Sequence, residues 1–302
     1  MTWIIAFAGL IAMGLGADWL VRGCSRLAHR IGVSEFLVSV IVIGVGITAP
    51  EIIVSLIASA QGMGTLVVGN AVASNLFRIL GVLGLGALLH PLTTGGEKRK
   101  LDLYFVLLAA IVLAWTIADG SVSAFDGIVL FGVFAAYAVA YGIKSASSKN
   151  RIHRQNVSWR KIIPLIAGSA VALYFGSYYF MESLMEITAS YGLDERVAAI
   201  LIVAPGTSAP EILITIIAAL RRRASIIIGN ILGSNMANIC LAVAGGAQIA
   251  PLAVAPEIVN VDIWILIGVT ALFCWQMLHF RRLGRWTGIC YLGVMFLLVS
   301  LL

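Results

Sequence analysis

The chain of 302 residues is 61% apolar and only 11% charged, and its formal net charge at neutral pH is +6. Its mean hydropathy of +1.02 is higher than a soluble core can hide, which excludes a soluble globular protein and indicates a polytopic helical membrane protein. The basic residues lie in short joints between apolar stretches, which excludes nucleic-acid binding as the reason for the positive charge.

Ten apolar stretches of about 20 residues follow one another along the chain, and each predicts a transmembrane helix. The first begins at Trp3 and lacks a basic leader and a small-residue cleavage site, so it predicts a retained helix. We expect five helices within residues 1–143, a basic cytoplasmic loop at 144–161, and five more helices within 162–302.

The basic residues predict the orientation of these helices. When the joints are assigned alternately to two sides, eighteen of the twenty Lys and Arg residues fall on one side. Arg196 falls on the other side, and Arg78 lies inside an apolar stretch. The positive-inside rule makes the basic side cytoplasmic. We therefore predict a multi-pass protein of the cell (inner) membrane with both termini extracytoplasmic.

The second half of the chain repeats the first at an offset of 160 residues. Because five is an odd number, the second copy must enter the membrane in the opposite orientation, and the construction is typical of alternating-access carriers. The sequence therefore predicts an all-α membrane protein with ten transmembrane helices in two inverted five-helix repeats. Matched positions include Gly46, Ala49, Pro50 and Glu51 with Gly206, Ala209, Pro210 and Glu211, and Gly69, Asn70, Ser74 and Asn75 with Gly229, Asn230, Ser234 and Asn235.

The stretches GVGITAPEI (44–52) and APGTSAPEI (204–212) lie in the second and seventh predicted helices. Pro50 and Pro210 each remove a backbone donor, which breaks the helix locally and frees a carbonyl four residues earlier. Freed carbonyls, hydroxyls and carboxylates form an all-oxygen set that suits hard cations such as Na⁺ and Ca²⁺. The side chains in this set are those of Thr48, Glu51, Thr207, Ser208 and Glu211.

The stretches GNAVASNLFR and GNILGSNMAN open the third and eighth predicted helices. Ser74 and Arg78 are four residues apart, as are Ser234 and Asn238, so each pair shares a helix face and can complete the site. Structural explanations compete with this interpretation, because a lone Pro or Ser in a membrane helix is ordinary and Glu51 could serve only to pair with Arg78. Acidic residues at the joints, such as Asp102, are expected to be solvated.

The paired motifs resemble those of the sodium/calcium exchanger family of the calcium/cation antiporter superfamily, in its prokaryotic form without a regulatory loop. The resemblance implies exchange of Na⁺ against Ca²⁺ through cation sites between helices 2, 3, 7 and 8. Glu51 and Glu211 would be the central ligands. The further ligands that it implies are the side chains of Thr48, Ser74, Thr207, Ser208, Ser234 and Asn238, and backbone carbonyls near Gly44, Ile47 and Ala204.

Three residues depart from the family pattern: Ile47 lacks a hydroxyl, Ala73 replaces a glycine, and Arg78 stands where the family has Asn or Asp. A guanidinium has only donors and cannot ligate a cation. We therefore predict that Arg78 is a built-in counter-ion to Glu51 or Glu211, which modifies coupling. Alternatively, Arg78 could extend toward a cytoplasmic vestibule and leave the cation site nearly unchanged.

The resulting function is a secondary-active cation antiporter, with a Na⁺-independent or proton-coupled Ca²⁺ exchanger as an alternative. A cation channel and a non-transporting homologue remain open, whereas the sequence offers no H-E-x-x-H motif or other sign of an enzyme. We expect no cofactor. The expected partners are membrane lipid and the transported cations Ca²⁺, Na⁺ or H⁺, without nucleic acid, and we expect the chain to function as a monomer.

Overall fold

A computed structural model describes residues 2–93, 100–147, 157–190 and 208–301, and almost all of these are helical. Five described helices are long and apolar enough to cross a membrane, and a bent helix pair makes a sixth. The first-half helices are α1 (Thr2–Ile31), α2 (Glu35–Val38), α3 (Gly46–Ala60), α4 (Gly64–Phe77), α5 (Gly84–Leu89), α6 (Lys100–Thr116) and α7 (Ala124–Ser147). The second-half helices are α8 (Trp159–Ser190), α9 (Ala209–Leu220), α10 (Ala224–Ala237), α11 (Ala244–Ile249), α12 (Ile263–His279) and α13 (Arg285–Leu301).

Short π-helical segments join several of these helices into longer ones. Ser39–Val45 joins α2 to α3, Arg78–Leu83 joins α4 to α5, and Asn238–Val243 joins α10 to α11. A further π-helical segment, Ile258–Asp262, leads into α12. Joined in this way, the described helices form ten continuous helical segments, as the apolar stretches predicted.

The two halves repeat each other in their helix bounds. The run from α4 through its π segment to α5 and the run from α10 to α11 have the same three lengths, and each boundary is displaced by 160 residues. The local amino-acid sequence therefore gives both copies the same order of α-helix, π-helical segment and α-helix, although the copies differ at Arg78 and Asn238.

Two small antiparallel ladders connect the halves at the ends of the helices. Strand β1 (Leu92–Thr93) pairs with β4 (Arg282–Leu283), and strand β2 (Ser121–Val122) pairs with β3 (Leu252–Ala253). The joints of β1 and β4 belong to the basic side, and those of β2 and β3 to the opposite side. Each ladder therefore pairs two joints, one from each half, that the distribution of basic residues predicts to lie at the same membrane surface.

Close glycine contacts bring the second helical segment against α10. A Cβ built on Gly44 would lie 2.6 Å from the Cα of Gly233, and one built on Gly229 would lie 2.8 Å from the carbonyl oxygen of Phe36. Side chains larger than hydrogen cannot fit between backbones at this separation. The Ser39 hydroxyl strengthens the contact by donating to the carbonyl oxygen of Ile226 at 2.7 Å.

The outermost helix of the first half, α1, packs along α8. A Cβ on Gly9 would lie 2.8 Å from the carbonyl oxygen of Gly176, and one on Gly23 would lie 2.9 Å from a side-chain carbon of Ile166. These contacts at both ends of α1 show that the two helices lie side by side over much of their length.

The prolines have different positions in their helices. The helix axis bends by 42° between Glu35–Ala49 and Glu51–Ala60, so the chain bends at Pro50. Pro210 lies in the first turn of α9, where its missing N–H leaves no helical bond unmade. The predicted loop at 144–161 overlaps the end of α7 and the start of α8, and residues 148–156 lie outside the described part of the chain.

The expectation that Asp102 is solvated is wrong. Its side chain is buried in the first turn of α6, with only 1% of the residue exposed. The hydroxyl of Tyr137, on α7, donates to Asp102 Oδ1 at 2.7 Å. This contact between two helices supplies the polar partner that a buried carboxylate requires.

Candidate cation site

Arg78 lies at the centre of the candidate site. It is the first residue of the π-helical segment after α4, and only 2% of it is exposed. Its Nη2 atom donates to Glu51 Oε2 at 2.6 Å and to Glu51 Oε1 at 2.8 Å, and it also donates to Glu211 Oε1 at 3.3 Å. This geometry contradicts the alternative in which the side chain extends to a vestibule. One guanidinium nitrogen is instead shared by the carboxylates of both repeats.

The two carboxylates have unequal environments. Glu51 lies in α3 just after the bend, and 30% of its side chain is exposed, whereas Glu211 lies in the first turn of α9 and only 4% of its side chain is exposed. With both glutamates ionised, the three groups sum to a charge of −1. Burial makes this pairing mandatory, because removing one partner of a buried ion pair typically costs about 3–5 kcal/mol.

Asn75 holds Arg78 from the other side. Asn75 Oδ1 accepts from Arg78 Nη1 at 3.4 Å, and Asn75 Nδ2 donates to the carbonyl oxygen of Asn235 at 3.3 Å. The side chain therefore connects the guanidinium to the backbone of the second repeat. Both asparagines were matched as repeat partners in the sequence, but neither was predicted as a site residue. Their recurrence as a Ser-Asn pair in both motifs was the available signal.

A second group of predicted ligands gathers at the Gly44 carbonyl. Thr48 Oγ1 donates to this oxygen at 2.6 Å, and Ser234 Oγ donates to it at 3.3 Å. Both hydroxyl-bearing residues are fully buried. The predicted carbonyl ligand and two predicted hydroxyl ligands therefore lie within hydrogen-bond distance of one another, and in this arrangement the hydroxyl protons satisfy the carbonyl.

Ser74 and Asn238 form a third contact, across the repeats. Asn238 Nδ2 donates to Ser74 Oγ at 2.8 Å, and Ser74 Oγ donates to the Asn70 carbonyl oxygen at 2.6 Å. Arg78 is the repeat partner of Asn238, so symmetry alone would direct Arg78 toward Ser234. The negative charges of Glu51 and Glu211 attract the guanidinium and direct it toward the two carboxylates instead.

Several buried acceptors at the site have no hydrogen-bond partner among the described residues. They are Glu211 Oε2, Asn235 Oδ1 and Asn238 Oδ1. Buried polar atoms are nearly always paired with protein, water or a bound ion. Oxygen acceptors without donors suit a hard cation or a proton, so the residues present fit a cation as substrate.

The side chains of the remaining predicted site residues make no hydrogen bond with the site in the described part of the chain, or lie outside that part. Thr207 and Ala204 lie outside the described residues. Ser208 is half-buried at the N-cap of α9, where its side chain makes no capping hydrogen bond. Ile47 is half-buried in α3, three residues after Gly44, so its backbone lies in the same turn as that carbonyl.

Comparison with known proteins places this site in a family. The sequence matches the sodium/calcium exchanger protein family over residues 1–141 and 161–302. It is similar to the sodium/calcium exchanger MaX1 of Methanosarcina acetivorans, with 27% identity over 331 residues that cover 96% of this chain and 95% of that protein. It is also similar to an uncharacterised membrane protein of Methanocaldococcus jannaschii, with 29% identity over 294 residues that cover 97% and 95% of the two chains.

A solved structure agrees with these matches. The fold is similar to that of the sodium-calcium exchanger NCX_Mj soaked with zero Na⁺ and Ca²⁺, with a TM-score of 0.87, 28% identity, and coverage of 99% of this chain and 98% of the other. The predicted family resemblance and the predicted fold of ten helices in two inverted repeats are confirmed. Because the family match extends over nearly the whole chain, this protein is a multi-pass membrane protein that belongs to the sodium/calcium exchanger family.

Proposed function

We propose that this cation antiporter of the sodium/calcium exchanger type works by alternating access around a midplane site between Glu51 and Glu211, with Arg78 as a tethered counter-ion. The observation that carries the proposal is the single Arg78 nitrogen shared by both carboxylates, at 2.6 Å and 3.3 Å. Two carboxylates within the membrane, one of them buried, need a positive charge or a proton in every state of the transport cycle. A fixed guanidinium supplies part of that charge without a bound ion.

The proposed counter-ion changes the coupling. A site with two glutamates and no arginine has a charge of −2 when empty, and it must take up cations before both carboxylates are neutralised. Here one charge is already balanced by Arg78. We therefore expect this exchanger to use fewer Na⁺ per cycle than a relative with Asn at this position. Bound Ca²⁺ must displace the guanidinium from Glu51, because Arg78 offers a cation no ligand atom.

A proton-coupled Ca²⁺ exchanger is the second candidate, and a specific observation favours it. Glu211 is buried, and its Oε2 atom has no hydrogen-bond partner among the described residues. A proton on that oxygen would neutralise the carboxylate that Arg78 holds less closely. In this version, H⁺ replaces Na⁺ as the exchanged ion, and Glu51 is paired with Arg78 while Glu211 carries the proton.

The proposal extends to substrates and surroundings. Ca²⁺, Na⁺ and H⁺ are the proposed substrates. The chain is proposed to need no resident cofactor, to catalyse no covalent reaction, and to act as a monomer in the cell membrane with both termini outside. The strongly basic joints support this orientation by the positive-inside rule.

The test is Ca²⁺ flux in proteoliposomes, driven in separate arms by a Na⁺ gradient and by a pH gradient. Wild type is compared with Arg78→Asn, which changes the empty charge to −2, and with Glu51→Gln/Arg78→Asn, which restores −1. We expect Arg78→Asn to raise the number of coupled cations by about one, as read from the potential at which flux reverses. An unchanged stoichiometry would refute the counter-ion role, and absence of saturable counter-transport in wild type would indicate a channel or a non-transporting homologue.

A further inference from the structure

A basic cavity lies away from the cation site, between α1 and the turn that joins α9 to α10. Its volume is about 460 Å³. Apart from Val21, the residues that line it are all polar or basic, and they are Arg22, Ser25, Arg26, His29, Arg221 and Arg223. We refer to this feature as the basic cavity. Nothing in the proposed transport cycle uses it.

The fold builds the basic cavity from two directions. Each α1 residue of the lining has another lining residue three or four positions away, as Arg22 has Ser25, which places them on one helix face. On the other side, Arg222 has a left-handed backbone with φ of 56°, which reverses the chain between Arg221 and Arg223. Arg223 is also the N-cap of the 14-residue helix α10. The helix dipole places partial positive charge at that N-terminal end, beside the cavity wall.

The carboxylates near the cavity do not balance its arginines. Asp18 pairs with both Arg22 and Arg221. Glu35 pairs with Arg223 and accepts from Ser25 Oγ at 2.6 Å. Two carboxylates therefore face four arginines, which leaves a charge of +2 with the histidine neutral.

Two lining groups have polar atoms available to a ligand. The guanidinium of Arg26 makes a 3.5 Å contact with the carbonyl oxygen of Lys161, which is at the limit for a hydrogen bond. His29 Nδ1 is buried and has no hydrogen-bond partner among the described residues. An anion in the cavity would satisfy both groups and balance the excess charge.

We propose that the basic cavity binds a phosphate-class anion, from either a phospholipid headgroup or free phosphate. Guanidinium groups match the geometry of phosphate oxygens and bind them with charge-assisted hydrogen bonds. The cavity lies at the basic end of the bundle, where anionic headgroups gather around Lys and Arg. Trp159 at the start of α8 is exposed, and its ring lies 5.3 Å from the guanidinium carbon of Arg30, the residue after the cavity residue His29.

The site would have a mechanical consequence. Its lining joins α1, which packs along α8, to the turn between α9 and α10. A phosphate that contacts Arg26 on α1 and Arg223 on the turn would hold these parts of the bundle together. Anion binding at the basic cavity is therefore expected to stabilise the protein, and it does so independently of the residues of the cation site.

The experiment measures binding and thermal unfolding of the full chain in neutral detergent. One arm adds phosphatidylglycerol, a second adds phosphatidylcholine, and a third adds inorganic phosphate against chloride at equal ionic strength. We expect phosphatidylglycerol, phosphate, or both to raise Tm in a saturable manner. In Arg26→Gln/His29→Gln the binding constant for the active probe should fall at least about tenfold. These substitutions spare the three arginine–carboxylate pairs and the Ser25–Glu35 hydrogen bond, and they remove only the 3.8 Å approach of His29 Nε2 to Glu35 Oε1.

Arg285→Gln is the matched control, because Arg285 is exposed, belongs to the same basic side and is not part of the cavity lining. A response to phosphatidylglycerol alone assigns the site to a lipid, and an equal response to inorganic phosphate assigns it to free phosphate. The proposal is overturned if neither probe shifts Tm. Equal binding by the double variant and Arg285→Gln overturns it as well.

Discussion

Asn75 donates a hydrogen bond to the backbone carbonyl oxygen of Asn235, the residue that stands 160 positions later and occupies the same place in the second repeat. Repeat partners can touch only where the pseudo-two-fold axis passes between them. The axis therefore passes beside Arg78, since the same Asn75 side chain accepts from its Nη1. The asymmetry of the site, an arginine on one side and an asparagine on the other, is located at the centre of an otherwise symmetric construction.

Replacing Asn75 by Ala should destabilise the protein by about 1–3 kcal/mol, because it leaves a buried donor of Arg78 without this partner and removes one donor to the Asn235 carbonyl, which also accepts from the Asn238 N–H. Asn70→Ala is the control, since Asn70 is exposed on the same helix. Denaturant titration of both variants in micelles measures the difference. Equal stability of the two variants would show that the contact is dispensable.

Arg78→Asn should make folding depend on added cations. Without the guanidinium, Glu51 and Glu211 repel each other at the site, and the ion-free protein should have a lower Tm. Ca²⁺ should restore much of the loss, because a ligand at 100 times its dissociation constant stabilises by about 2.7 kcal/mol. Wild type is the reference and should respond less to the same Ca²⁺ titration. A variant with the wild-type Ca²⁺ response would contradict the counter-ion role.

Gly233→Ala should weaken the contact between the second helical segment and α10. The added Cβ would lie 2.4 Å from the Val40 carbonyl oxygen, so one backbone has to move. Overpacking of this kind typically costs about 1–3 kcal/mol. Gly268→Ala is matched to it, because a Cβ there meets nothing within 4 Å. Thermal unfolding should separate the two variants by several degrees, and coincident melting curves would disprove the tight contact.

Cysteine pairs can test both the ladders and the orientation. Thr93 faces Arg282 in one ladder, and Ser121 faces Ala253 in the other. Each pair is replaced by two cysteines in a Cys290→Ser background, which removes the exposed native thiol. Each cysteine pair should form a disulfide, because the Cα atoms of facing residues in a ladder lie about 4.5–5.5 Å apart. Impermeant thiol reagents added outside intact cells should block only the Ser121/Ala253 pair. Blocking of the Thr93/Arg282 pair instead would invert the predicted topology.

Much of the fold could be predicted because its signals are local or periodic. Apolar stretches gave the helical segments, and the offset of 160 gave the repeats. Electrostatics predicted that Arg78 pairs with Glu51 or Glu211, because a charge inside the membrane needs a partner, but it left open an extension toward a cytoplasmic vestibule. Pro50 similarly predicted the position of a bend.

The features that could not be predicted depend on contacts between distant parts of the chain. Asp102 was expected in solvent, but its partner Tyr137 comes from another helix. The unequal exposure of Glu51 and Glu211 depends on what packs over each helix, and the two motifs are nearly identical there. The basic cavity depends on the pairing of Asp18 with Arg221, which lie 203 residues apart.

In the proposed transport cycle, the guanidinium at the centre of the bundle would also determine how strongly membrane voltage acts on the protein. Moving one elementary charge through a potential of 100 mV involves about 2.3 kcal/mol of electrical work. An ion-free carrier with a fixed charge of −1 does half as much of this work during its return as one with −2. Depolarisation of the membrane would therefore change the transport rate of this exchanger less than that of a relative without the arginine.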